Sequence, residues 1–185
     1  CEKPLPTLAE DAVQILQAEQ AVGRKLVTVG FMRRFDAGYQ EMRDALVSGE
    51  LGYATLVHCR HRNPTVPEGY TTRNMIDDTA IHEIDTCRYL LGEEIVRVRI
   101  DTPRSTSHRF EHLADPLVLV AYTESGVRID DEVNVNIGFG YSIECELVME
   151  QGTIRLGDQE RTLRRDAAGN RNAICRSHID RFHAA

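Results

Sequence analysis

The chain has 185 residues, 42% of them apolar, which suffices for one globular domain with a sizeable core and excludes a disordered segment. Its 22 basic and 29 acidic residues leave a net charge of −7, which argues against nucleic acid and anionic membrane surfaces as partners. Five scattered cysteines with no Cys-x-x-Cys pair do not read as a disulfide framework, so a reducing compartment, the cytoplasm, is expected.

Thr7 and Glu10 form a capping-box pattern, and Leu8, Ala12, Ile15, Leu16 and Val22 continue as a helix that Gly23 stops. "KLVTVG" (25–30) reads as a short buried strand. A second helix is predicted from near Asp36, with Tyr39, Met42, Leu46 and Val47 at helical spacing and Gly49 at its end. "YATLVHCRHR" (53–62) is a strand, followed by a polar, proline-bearing loop over 63–74. A third helix runs through "DDTAIHEID" (77–85) to about Leu91 and closes at Gly92.

Beyond it the texture turns to strands: "EIVRVRI" (94–100), "LVLVAYT" (117–123), "GVRIDDEVNVNIG" (126–138), "YSIECELVME" (141–150) and "TIRLG" (153–157). Turn signals separate them. Val127, Ile129, Val133, Val135 and Ile137 alternate with polar neighbours, so one face of that strand is covered, with Asp131 as the exception. "LVLVAY" is apolar on both faces and is expected to lie centrally or be covered twice. Such apolar runs are strand-sized and too short to span a bilayer. Helices first and strands after predict an α+β fold with a largely antiparallel sheet.

On the third helix, Asp78, His82 and Asp85 fall within roughly 60° of one another, because i, i+4 and i+7 share a face. A solvated acidic face explains this row, since acids in a first turn complement the helix dipole. A metal site using Asp78 and His82 with His58 or His61 is a second reading, though neither an HExxH pattern nor cysteine spacing supports it. Acid/base chemistry by an imidazole beside a carboxylate is a third. The helix alone leaves all three open.

"EKP" (2–4), "VGFMRRFDAGY" (29–39), "HRNPTVPEGYTT" (61–72) and "DTAIHEID" (78–85), in this order, resemble the inositol 2-dehydrogenases, and more broadly the Gfo/Idh/MocA group of nicotinamide-dependent oxidoreductases. "GYSIECELVMEQGTIRL" (140–156) is similar to the late sheet strands of that family, so the likeness covers about residues 1–157. It implies an N-terminal Rossmann domain that binds NAD, or NADP. It also implies a C-terminal α+β domain whose open-faced, largely antiparallel sheet carries helices on one face and mediates a homotetramer. Residues 1–24 would then be the interdomain segment and linking helix, and 25–185 the substrate-binding and oligomerisation domain. The Rossmann domain is expected to precede Cys1, and the C-terminal helix to be cut within "HIDRFHAA". Consistent with that division, no Gly-x-Gly-x-x-Gly opens a βα unit here.

Carried over one at a time, Lys3 matches the catalytic lysine at the nicotinamide side, and Asp78 and His82 match the acid/base pair. Met32, Arg33, His61, Asn63, Thr79, Asp85 and Tyr141 match positions that hold a polyol or sugar substrate, and no metal is implied. Phe139 and Ser142 depart from the Tyr and Asp common at their positions. The implied reaction oxidises a secondary alcohol of an inositol, with His82 oriented by Asp78 as base and Lys3 stabilising the alkoxide, or with the two exchanging roles. A non-catalytic oligomerisation or ligand-binding domain of the same fold, and a metal-dependent hydrolase using His58, His61, Asp78 and His82, are the alternatives.

Overall fold

The computed structural model describes residues 1–6, 8–138 and 140–157 in full and the backbone of 161–166 and 169–174. Its sheet contains β1 (Ala54–Arg62), β2 (Ile95–Asp101), β3 (Leu117–Thr123), β4 (Arg128–Asn134), β5 (Ser142–Met149), β6 (Gly152–Leu156), β7 (Arg161–Asp166) and β8 (Gly169–Ile174). The spatial order is β2-β3-β4-β1-β5-β6-β7-β8. β1 runs parallel to β4, and every other pairing is antiparallel. The α+β, largely antiparallel expectation holds.

Period-two alternation decides which side each residue takes. Val57, Cys59 and His61 of β1 lie on the covered face with Ile129, Cys145, Leu147 and Ile154. The opposite face is a lattice of charges: Arg60 reaches Glu132 and Glu144, Arg62 pairs with Glu132, Arg155 with Glu144, and His58 lies near Asp130. Exposed pairs of this kind stabilise by about 0–1 kcal/mol each, so the apolar layer and not the lattice holds the sheet.

That layer is covered by two helical stretches. α2 (Ala37–Val47) starts at Asp36, whose carboxylate accepts hydrogen bonds from the Gly38 and Tyr39 amides, as its sequence foretold. Tyr39 and Met42 are buried against the sheet, whereas Val47 is 71% exposed. The second stretch begins with α3 (Thr72–Asn74), widens into π-helical turns over Met75–Ala80, and continues as α4 (Ile81–Leu91). Gly92, at φ 68°, ends it in the left-handed conformation that glycine adopts without strain.

Four expectations need correction or completion. Residues 25–30 form no strand: the Leu26 and Val27 amides donate to the Glu19 carboxylate and the Gly30 amide to the Cys1 carbonyl, and no strand among the described residues pairs with them. Leu26 and Val27 are accordingly exposed, not buried. α1 (Ala9–Val22) follows Leu8 at its N-cap without a side-chain cap and buries none of its residues, while Thr7 lies outside the described residues. β3 is an interior strand, second from the sheet edge, and its second face is covered in part: Val120 is buried while Val118 and Tyr122 are half-buried. The β7–β8 hairpin had no counterpart in the sequence reading, and the expected C-terminal helix falls on residues outside those described.

Candidate active site

Four separated stretches converge above the end of β1. The N-terminal segment brings Lys3, a 3-10 turn (Met32–Phe35) brings Arg33 and Arg34, β1 brings His61, and the widened helix brings Asp78, Thr79 and His82. Lys3 Nζ donates to the Asp78 carboxylate at 2.5 Å and to the Asp78 carbonyl at 2.5 Å, across 75 positions of sequence. The other Asp78 oxygen accepts from the Tyr70 hydroxyl at 2.9 Å, and that hydroxyl lies 2.7 Å from Thr79 Oγ1. Burial would raise the Asp78 carboxyl, but the hydrogen bonds from Lys3 and Tyr70 prevail and hold it below the usual range. An open cleft of about 400 Å³ adjoins this pair, lined by Pro4, Leu8, Arg73, Asn74, Asp77 and Asp78.

Asp78 is therefore the partner of Lys3 and Tyr70, and it makes no hydrogen bond to His82. Its two carboxylate oxygens are taken by Lys3 and Tyr70, while an electrostatic interaction with His82 remains. His82 instead sits beside His61, with ring centroids 6.0 Å apart. Burial, reinforced by the positive charges of Arg33 and Lys3 and opposed by Glu83, lowers the His82 pKa to about 4. The imidazole is neutral at physiological pH and able to accept a proton.

Asp85, the third member of the predicted row, faces another partner. Its oxygens accept from Arg34 Nη2 at 2.6 Å and Arg34 Nε at 2.9 Å, a bidentate pair with the carboxylate buried. Of the remaining sequence-derived residues, Tyr141 stands edge-on to His61 with centroids 6.0 Å apart, and Thr79 is buried beneath Tyr70. The Asn63 backbone bonds to Asn134 and Ile137, which fixes the loop leaving β1. Met32, 38% exposed, stands on the 3-10 turn beside buried Arg33.

Glu83 was not anticipated. It is 1% exposed, pairs with Arg33, and holds both carboxylate oxygens 3.0 Å from His61 Nδ1. Burial would raise its pKa, yet the Arg33 charge and the hydrogen bonds from His61 and Arg33 bring it down to about 2. Tyr70 was also missed as an individual residue. The available signal for Glu83 was indirect: Arg33 needs a counter-ion if it is buried, and Glu83 is one of few acids on the matching helix.

His58 points to the opposite side of the sheet, where it approaches Asp130 at 3.7 Å. The sheet thus divides the set of His58, His61, Asp78 and His82. Among the described residues no group of three or more His, Cys, Asp or Glu side chains is arranged to hold a metal ion.

An α+β domain with an open-faced sheet and a buried ionic cluster at one strand end is the class of structure these observations define. The family described as GFO/IDH/MocA C-terminal domain matches residues 39–155, and the chain belongs to it. It is 53% identical over 182 residues to inositol 2-dehydrogenase 3 of Saccharopolyspora erythraea, covering 98% of this chain and 54% of that protein. With the inositol 2-dehydrogenase of Ralstonia nicotianae it shares 45% over 185 residues, covering 100% and 55%. Among solved structures, myo-inositol dehydrogenase from Lactobacillus casei in complex with NAD(H) and myo-inositol superposes with a TM-score of 0.84 at 34% identity, covering 99% and 55%. The chain spans about half the length of these relatives.

Proposed function

We propose that this chain is the substrate-binding half of an NAD-dependent dehydrogenase that oxidises a secondary alcohol of an inositol, or of a related cyclic polyol or sugar, to a ketone. In that reading residues 1–24 link to a preceding nucleotide-binding domain and 25–185 form the substrate and oligomerisation domain. The observation that carries it is the meeting of the Lys3 ammonium, the Asp78 carboxylate and the neutral His82 imidazole from segments 75 positions apart. The relatives' names supply the substrate class.

Bound NAD supplies a hydride acceptor for the carbinol carbon. Lys3 is the residue of this chain that would lie at the nicotinamide side, and its ammonium, held by Asp78, stabilises the developing alkoxide. His82 removes the hydroxyl proton. Asp78 holds Lys3 by a direct hydrogen bond and acts on His82, its expected acid/base partner, through its charge. His61, Asn63, Thr79, Arg33, Met32 and Tyr141 line the polyol, with Asp85 acting through its pair with Arg34. The cytoplasm is the compartment proposed. No helix among the described residues is long and apolar enough to cross a membrane. Assembly through the sheet agrees with exposed Val96, Val98 and Ile100 on edge strand β2.

Assaying the complete enzyme against a panel of inositols and hexoses with NAD and NADP tests this reading. Reduction of the nicotinamide with at least one cyclic polyol is expected. Turnover confined to substrates without vicinal hydroxyls would overturn it.

A further inference from the structure

We infer that Glu83 is a positioning residue of the polyol pocket: when the His61 ring carries a single proton, Glu83 holds it on Nδ1, so that Nε2 is presented as a hydrogen-bond acceptor to a substrate hydroxyl. The consequence for substrate rests on the polyol reading above; the proton position does not.

Three polar atoms crowd His61 Nδ1. Both Glu83 carboxylate oxygens lie 3.0 Å away and Arg33 Nη2 lies 3.3 Å away. If Nδ1 were bare, its lone pair would face two anionic oxygens and gain one long contact from Arg33. With Nδ1 protonated, the ring donates a charge-assisted hydrogen bond shared between those oxygens, the stronger arrangement by distance and by charge. Arg33 loses little, because its Nη1 pairs directly with Glu83. Burial sharpens the choice: His61, Glu83 and Arg33 are all at most 4% exposed, so water does not screen the carboxylate.

The remaining nitrogen, Nε2, then carries a lone pair. His61 stands 6.0 Å from both His82 and Tyr141, between the proposed base and the sheet tyrosine. A ring locked in this tautomer accepts from a hydroxyl and cannot donate to an ether or carbonyl oxygen. It therefore selects a polyol with a donor at that position over its O-methyl counterpart, since a buried acceptor left unpaired is costly. Arg33 supplies the charge that keeps Glu83 ionised, so "MRRF" and "HEID" act together on a histidine neither segment contains.

The test is long-range ¹H–¹⁵N correlation of the labelled 185-residue chain at a pH where His61 is neutral. A protonated Nδ1 and a bare Nε2 are expected; the opposite tautomer overturns the inference. This readout needs neither cofactor nor turnover, so it stands apart from failure of the dehydrogenase reading. Glu83→Gln, whose amide can both donate and accept, should make the two tautomers comparable. In the complete enzyme it should raise KM for the polyol by about tenfold or more, with a much smaller change in kcat. An unaltered tautomer in a folded Glu83→Gln variant contradicts the role of Glu83. Should that variant fail to fold, the wild-type spectrum decides alone.

Discussion

Two buried carboxylates, Glu83 and Asp131, feel the charge of one guanidinium, but only Glu83 pairs with it, and this sets their opposite behaviour. Arg33 pairs with Glu83, which stays ionised, whereas neither oxygen of Asp131 has a hydrogen-bond partner. Burial, followed by repulsion from Glu83, pushes the Asp131 carboxyl well above its ordinary value. A group with a raised folded pKa contributes stability below its unfolded value of 3.8 that is lost as pH rises through the folded one. Asp131→Val should therefore stabilise the chain by about 1–3 kcal/mol at neutral pH. Asp131→Asn should remove the pH-dependent part of that gain, both measured by urea unfolding between acid and neutral pH. The two depressed groups act in the other direction. His82, lowered to about 4 from 6.5, loses stability as pH falls through that window, and Glu83 does so between 4.5 and about 2. A wild-type stability curve that is flat below pH 6 would contradict these assignments.

Among the elements, those with a strong period were legible in sequence, and those defined by their surroundings were not. Alternation over 127–137 gave β4 and its buried face correctly, including the anomaly at Asp131. Asp36, Tyr39 and Met42 foretold the start and inner face of α2. The run at 25–30 has the composition of a strand but acquires no strand partner, and composition does not supply one. Helical spacing put Asp78, His82 and Asp85 in one row, but spacing does not say which partner each meets: Lys3 and Tyr70, the His61 ring, and Arg34. Glu83 reads as an ordinary polar helix residue until the 3-10 turn and β1 surround it. The inner face of α2 gives a direct check. Met42→Ala, at a position with 0% exposure, should cost about 2–5 kcal/mol in denaturant unfolding. Val47→Ala on the same helix should stay within about 0.5 kcal/mol, and equal costs would refute the packing described.

At the scale of the described domain, the sheet has two unlike faces and a cluster of ionisable side chains at one strand end. Helices and apolar side chains cover one face, charge pairs occupy the other, and β1, parallel to β4 and antiparallel to β5, delivers His61 to the cluster. Sequence motifs located most of the cluster's members because those residue types stand in an ordered series. The division of labour among them required the fold: Asp78 with Lys3, Asp85 with Arg34, Glu83 with Arg33 and His61. Proton removal by His82 is the claim on which the proposed chemistry turns. The most direct measurement is the pH dependence of polyol oxidation by the complete enzyme and its His82→Ala variant. The variant should lose about 100- to 10,000-fold in kcat. The wild-type kcat/KM should fall on the acid side near the His82 value of about 4, a limb absent from the variant. A variant with unchanged kcat and an unchanged acid limb would contradict it.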